Sequence, residues 1–223
     1  MQALKTWAAD QAEEDAMDAD HRHLWQQMIT HINETDLSGK QLLDYGCNQG
    51  GFLRLLHQQK PFAKAVGVDL AAESLEVASA RIKDEPLEFL PVTALEDYKN
   101  SFDMAFSHEV LYLLPDLDAH AALIAESLKS DVVYYAAMGC HADNPQWERG
   151  VEIISAYSTL LVQSYSLNDY ADAFFNAGFS VSARPYQFDG FVPLKQDNQY
   201  FPSVRDSLDY HTTHKTLFRF EKP

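Results

Sequence analysis

The spacing of apolar positions changes near residue 40. Ahead of it, Leu24, Trp25, Met28, Ile29 and Ile32 recur at helical intervals behind an acid-rich stretch containing Asp10, Glu13, Glu14, Asp15, Asp18 and Asp20. Residues 1 to about 38 therefore read as a helical arm, closed by Asp36-Leu37-Ser38-Gly39. From residue 41 onward, short apolar runs of strand length alternate with amphipathic stretches, the order that builds a mainly parallel sheet. The strand candidates are Gln41–Tyr45, Ala65–Asp69, Leu87–Val92, Met104–Ser107, Val132–Ala137, Phe179–Arg184 and Thr216–Phe220. Helices are expected to start near Gly51, Ala72, Leu117 and Leu167. Ser166 with Asp169 predicts a capped helix start, and Gly178 a helix stop. The last two strand candidates are joined by about thirty residues without a good helix, so the final strand is expected to return antiparallel. The expectation is an α/β three-layer sandwich on a mostly parallel seven-stranded sheet.

One segment breaks the alternation. Residues 141–165 lie between the fifth strand and the next helix, and carry Trp147, Tyr157 and a helical run from Val151 to Val162. An insertion at the carboxyl edge of a sheet is well placed to cap a pocket. The expected organisation is thus an arm over 1–38 and one domain over 39–223, with 141–165 as an inserted lid.

Composition narrows the partners. At 223 residues, 46% apolar and 22% charged, the chain suits one soluble globular domain. No apolar run reaches membrane-span length, and the start lacks the basic-then-apolar order of a signal peptide. Two cysteines, Cys47 and Cys140, make no disulfide framework, which fits a cytoplasmic setting. With 17 basic against 33 acidic residues the net charge is −16. Nucleic-acid binding needs basic clusters to displace counterions, so the expected substrate is a small molecule, with neither nucleic acid nor membrane as partner.

The densest chemistry lies in Leu42-Leu43-Asp44-Tyr45-Gly46-Cys47-Asn48-Gln49-Gly50-Gly51. A buried strand runs into a glycine turn, and Phe52-Leu53-Arg54-Leu55-Leu56 opens a helix. This order builds the nucleotide-type crevice at the carboxyl ends of the strands. Asp44 stands where a pyrophosphate would be repelled and a cation attracted. The ligand this describes carries an adenosine and a positive charge without phosphates, as S-adenosylmethionine does.

In this and four later segments the chain resembles the class I S-adenosylmethionine-dependent methyltransferases, over roughly residues 40–221. Asp44-Tyr45-Gly46-Cys47-Asn48-Gln49-Gly50 is similar to the family's Asp-x-Gly-x-Gly-x-Gly. Val66-Gly67-Val68-Asp69, Val92-Thr93-Ala94-Leu95-Glu96, Phe102-Asp103-Met104-Ala105-Phe106-Ser107-His108-Glu109-Val110-Leu111 and Ala177-Gly178-Phe179-Ser180-Val181 follow in the family's order. The resemblance implies a Rossmann-like fold and methyl transfer that leaves S-adenosylhomocysteine. The turn of Gly46, Cys47, Asn48 and Gly50 would pass under the methionine part of the cofactor, where glycines admit close backbone approach. Asp44 would attract its ammonium group. Asp69, 19 residues after Gly50, stands near the offset of a ribose-binding acid, and Leu70 would pack on the adenine. By the resemblance, Thr93, Ala94 and Leu95 line the adenine's other side, and Ser107 and His108 lie beside the methyl. Two departures stand out: Asn48 replaces the middle glycine, and Thr93 replaces a common acid.

The catalytic candidate is His108, either as a base that takes a proton from the acceptor or as a residue lining the cofactor. Glu109 either supports the site from behind its lining residues or is exposed. Tyr112, His141, Trp147 and Tyr157 are the candidate substrate contacts. Trp147 and Tyr157, with Phe188, Tyr200 and Tyr210, equally suit core and lid packing. The pairs His21/His23 and His211/His214 lack a carboxylate or cysteine set at ligand spacing, so they read as surface histidines and no metal is expected. Cys47 has no base placed beside it and reads as a packing residue. The expected activity is methyl transfer to an oxygen, nitrogen or carbon of a small molecule. A cofactor-binding scaffold without turnover is the alternative. A dinucleotide oxidoreductase is disfavoured, because aligning Gly46, Asn48 and Gly51 to Gly-x-Gly-x-x-Gly loses the glycine that meets the pyrophosphate.

Overall fold

The computed structural model describes residues 7–8, 10–157 and 160–223. Seven strands form one sheet: β1 (Leu37–Tyr45), β2 (Phe62–Asp69), β3 (Leu87–Pro91), β4 (Phe102–His108), β5 (Leu128–Met138), β6 (Ser180–Pro185) and β7 (Thr216–Lys222). Their order is β3-β2-β1-β4-β5-β7-β6. The first five are parallel, and β7 runs antiparallel to both β5 and β6. The chain order reverses between β1 and β4, and that reversal opens the crevice beyond their carboxyl ends.

The helices are α1 (Gln11–His31), α2 (Gly51–Gln59), α3 (Ala72–Ala80), α4 (Leu117–Ser127), α5 (Trp147–Tyr157), α6 (Leu167–Asn176) and α7 (Val204–Asp209). Strand alternation sorts their contacts into two cores. On one face Leu42, Ala65, Met104 and Phe106 pack under α1, α2 and α3 through Met28, Leu53, Leu56 and Leu75. On the other, Leu43, Val66, Ala105 and Tyr134 pack under α4 and α6 through Ile124, Tyr170 and Phe174. The second core is an aromatic stack: the Phe174 and Phe220 rings lie 3.8 Å apart and nearly parallel.

All seven strands and the four helix starts lie where the periodicity puts them. Several boundaries differ. β1, β2 and β5 start at Leu37, Phe62 and Leu128, ahead of Gln41, Ala65 and Val132, so Leu37-Ser38-Gly39, read as closing the arm, belong to the first strand. The arm's helix covers Gln11–His31 rather than the whole of 1–38, with Asp10 capping it by accepting from the Glu13 N–H at 3.0 Å. The inserted helix starts at Trp147, ahead of Val151, and ends by Tyr157. The long connection before β7 contains α7, too short to show a hydrophobic period but marked by a Ser203/Asp206 capping box. A π-helical turn over Tyr210–His214 follows it.

Phe174→Ala is expected to remove about 3–5 kcal/mol from the unfolding free energy. Urea unfolding of parent and variant measures this. A loss below about 1 kcal/mol would show that the stacked aromatics do not carry that layer.

Candidate functional site

The glycine turn is set by its neighbours. Gly46 and Gly50 have φ of +81° and +72°, in the left-handed region. A Cβ on Gly46 would overlap the Val110 side chain, and one on Gly50 the Phe89 ring. Asn48, also at positive φ (44°), is a residue type that tolerates this conformation. The Gly46 and Cys47 N–H groups both donate to the Val68 carbonyl, at 2.8 and 3.1 Å, which ties the turn to the end of β2.

Asp44 and Asp69 end adjacent strands on the same face, 3% and 2% exposed. Their environments differ. Asp69 accepts from Asn48 N–H at 2.8 Å, Ala71 N–H at 2.9 Å and the Trp7 indole at 2.9 Å. Burial still raises its pKa against those donors. Asp44 Oδ2 is buried with no partner among the described residues, and burial together with the nearby Asp69 charge pushes its carboxyl up to about 8. Asn48 Oδ1 is likewise buried and unpartnered. The crevice thus holds unmet acceptors and two adjacent acids that resist ionising together, an environment suited to a cation that donates hydrogen bonds.

The arm lies across this crevice. Buried Glu14 accepts from the Trp7 and Ala8 N–H groups at 2.7 and 2.9 Å, and from Asn48 Nδ2 at 2.8 Å. Gln11 and Gln49 exchange amide hydrogen bonds, and Asp15 and Asp18 reach Arg81 and Arg54 on α3's end and α2. Neither Trp7 nor Glu14 was legible as a site residue, because nothing local ties an N-terminal tryptophan to an acid 62 positions later.

The remaining cofactor candidates take distinct positions. Leu70 is 52% exposed at the rim. Thr93 and Ala94 are at least partly exposed on a 3-10 turn over Val92–Asp97, while Leu95 is buried in the α4-side core. The Ser107 side chain points into that same core, accepting from the Tyr134 hydroxyl at 2.7 Å, so only its backbone borders the crevice. His108, one residue on, returns to the crevice face, with its Nε2 buried and unpartnered.

The described substrate candidates have partners of their own. Tyr112 and Trp147 pack on each other at 5.5 Å in a separate cluster with Ile154. The Trp147 indole donates to Ser164, and His141 Nε2 pairs with the His214 carbonyl at 2.7 Å. The side chain of Tyr157 lies outside the described residues.

What surrounds His108 instead is a set of residues from four distant segments. His21 of α1 stands 5.3 Å from it, ring to ring. His23 meets Phe188 at 5.3 Å and His211 at 5.8 Å. These histidines, read from spacing as surface residues, are instead drawn inward by the arm and the π-helical turn. Burial, then the Lys215 charge, brings His21 down to about 4 and His108 well below its ordinary value. Burial also brings His211 down to about 4. Below them, fully buried Lys215 pairs with Glu109. Glu109, at φ 56°, further accepts from the Gly139 N–H at 2.9 Å and the Tyr210 hydroxyl at 2.8 Å. Burial is the largest single influence and opposes that carboxylate's charge, but Lys215, His108 and the Gly139 N–H together outweigh it and hold the pKa well below the usual range. Among the described residues no three His, Cys, Asp or Glu are grouped to hold a metal ion. Cys47 and Cys140 are free thiols, and burial raises both pKa values.

The raised Asp44 pKa has a definite sign for stability. The folded state holds this proton up to about pH 8, the unfolded chain only to about 3.8, so this carboxyl erodes stability as pH rises across that window. Asp44→Asn should remove that part of the slope and be more stable than the parent at neutral pH. Equal slopes in urea titrations at several pH values would exclude the effect.

A family model described as a methyltransferase domain matches residues 36–173. Among curated proteins, the chain is 29% identical over 108 residues to the malonyl-acyl-carrier-protein O-methyltransferase of Acetivibrio thermocellus, covering 47% of this chain and 38% of that one. It is 27% identical over 121 residues to the fatty-acid O-methyltransferase of Mycolicibacterium smegmatis, covering 53% and 44%. The chain therefore spans about half or less of the length of the curated relatives it matches. Among solved structures it resembles a chain from the complex of the Haloferax volcanii Trm112 methyltransferase activator with a putative methyltransferase. The TM-score is 0.80 and the identity 24%, over 97% of this chain and 96% of that one.

Proposed function

Because the chain belongs to the methyltransferase-domain family, we propose that it moves the sulfonium methyl of S-adenosylmethionine to a small-molecule acceptor and leaves S-adenosylhomocysteine. The observation that carries this is the pair of unmet acceptors, Asp44 Oδ2 and Asn48 Oδ1, buried at a turn whose Gly46 and Gly50 leave no room for a side chain. A ligand bearing an ammonium and a sulfonium supplies the missing donors and the positive charge that lets both acids ionise. Asp44 would take the ammonium and Asp69 the ribose hydroxyls, in exchange with the Trp7 indole. Gly46, Cys47, Asn48 and Gly50 would follow the methionine chain. Leu70, Thr93, Ala94 and Leu95 would enclose the adenine. Ser107, through its backbone, and His108 would border the methyl.

When bound, the cofactor supplies an electrophilic methyl; the protein's part is alignment and exclusion of water. We assign the covering roles to the arm, whose Trp7 and Glu14 already reach the crevice, and to residues 141–165. The latter segment is tied to the chain before β7 by Gln146 donating to the Asp206 carbonyl at 2.9 Å. The net charge of −16 supports a small molecule over nucleic acid as acceptor. The two O-methyltransferase relatives support oxygen as the atom methylated. The absence of a membrane-length apolar helix among the described residues and the two free thiols suit a cytoplasmic setting. The likeness to a chain solved with an activator makes a protein activator a component to seek.

Calorimetric titration with S-adenosylhomocysteine is expected to give micromolar binding that Asp69→Asn weakens at least about tenfold, with unfolding midpoints showing both proteins folded. No binding by the folded parent would overturn the reading. Binding should also release a proton near neutral pH, because an ammonium beside Asp44 draws a carboxyl that starts at about 8 into its ionised form. Titrations in buffers of differing ionisation enthalpy read this directly; Asp44→Asn should abolish the buffer dependence.

A further inference from the structure

Asp69 accepts two backbone N–H groups from the walls of the crevice, Asn48 on Oδ2 at 2.8 Å and Ala71 on Oδ1 at 2.9 Å. A further donor comes from far away in the chain: the Trp7 indole reaches Oδ1 at 2.9 Å across 62 positions of sequence. Trp7 is fastened at its backbone too, because Glu14 accepts from both the Trp7 and the Ala8 N–H on one carboxylate oxygen. The other oxygen of Glu14 accepts from Asn48 Nδ2, in the turn that would carry the methionine part of the cofactor. Resting on the family reading above, we propose that Trp7 is an internal competitor of the cofactor: its indole latches onto the carboxylate that would take the ribose, and the cofactor binds by evicting it.

The competition follows from the capacity of one carboxylate. It offers about four acceptor positions, and the Trp7, Ala71 and Asn48 contacts occupy three of them. A vicinal diol donates two hydrogen bonds, so it cannot simply be added to this set. The donor that gives way is the indole. The Asn48 N–H belongs to a turn whose Gly46 and Cys47 N–H groups are tied to the Val68 carbonyl, and Ala71 opens α3, its carbonyl accepting from the Leu75 N–H. Both are fixed by the fold, whereas the indole hangs on a side chain that can rotate away. The exchange also selects by chemistry. A diol replaces one donor by two, a single hydroxyl only breaks even, and a ligand without donors leaves the buried carboxylate short of a hydrogen bond.

The helix behind Trp7 has no need to move. A Cβ on Gly51 would overlap Asp18 and the Trp25 ring, so α1 rests directly on the start of α2. Asp15 pairs with Arg81 at 2.7 Å, and Gln11 exchanges hydrogen bonds with Gln49. Glu14, 1% exposed, thereby stations the tryptophan beside Asp69 from a docked helix and leaves the indole as the part that swings. While the latch is closed Asp69 keeps a donor in place of water. The fraction of protein ready for the cofactor is lowered, and the apparent Kd rises in proportion.

The test is Trp7→Phe, which keeps an aromatic ring and removes the N–H. Calorimetric titration with S-adenosylhomocysteine should show the variant binding at least about threefold more tightly than the parent, with unfolding midpoints showing both proteins folded. In the parent, the Trp7 indole N–H resonance is identified by its loss from the variant's spectrum. Its exchange with solvent should be slow in the free protein and should speed up when S-adenosylhomocysteine saturates the site. Two results would each overturn the proposal: a gain in affinity smaller than about threefold, weaker binding included, or indole exchange that is unchanged or slower at saturation. Weaker binding would make Trp7 a contact of the cofactor rather than its competitor. Failure of S-adenosylhomocysteine to bind either protein would instead strike the family reading on which the proposal rests.

Discussion

Two carboxylates buried side by side at the ends of β1 and β2 set the terms for the rest of the crevice. Removing a carboxylate from water is costly unless donors replace the lost solvent. Asp69 has three such donors, and two of them, the Asn48 and Ala71 N–H groups, come from the turn and helix start that flank it. Asp44 lacks a donor on Oδ2 and stays protonated up to about pH 8. The fold thus carries an unresolved electrostatic cost at one atom. A chain selected only for stability would place an apolar residue there, as Leu42 does two positions earlier on the same face. Local rules that fail at one buried position mark a site more reliably than rules that hold everywhere.

How much of this was legible follows from the range of the interactions involved. The strands and helices of the sheet depend on local periodicity, so Leu42–Tyr45 or Leu117–Leu128 could be placed from their own residues. The glycine turn was also legible, since positive φ and close packing on Val110 and Phe89 leave few residue types able to occupy Gly46 and Gly50. Which way the Ser107 side chain points was not legible, because the two faces of β4 are both buried and alternation in a doubly covered strand leaves no polar face to read. The histidine cluster was not legible at all. His21 and His108 are 87 positions apart in sequence and meet only because α1 folds back over the sheet.

The same long-range logic explains the connection before β7. It looked structureless because α7 has six residues and its apolar positions, Val204 and Leu208, are exposed. Yet it places the π-helical turn that sends Tyr210 to Glu109 and His211 toward His23. An extra residue within a helical turn rotates the side chains that follow, a device common near functional sites. Lys215, at the turn's end, is buried at the position where the antiparallel β7 begins. The reversed strand therefore does more than close the sheet: it delivers a cation to the same end of the sheet where the parallel strands deliver their carboxylates.

That juxtaposition gives the site its polarity. Along the crevice, the field changes sign from the acids of β1 and β2 to Lys215 beyond β4. A cation is stabilised at the acid end and repelled from the other, in surroundings where charges act over longer distances than in water, so the field itself orients a positively charged ligand in the crevice.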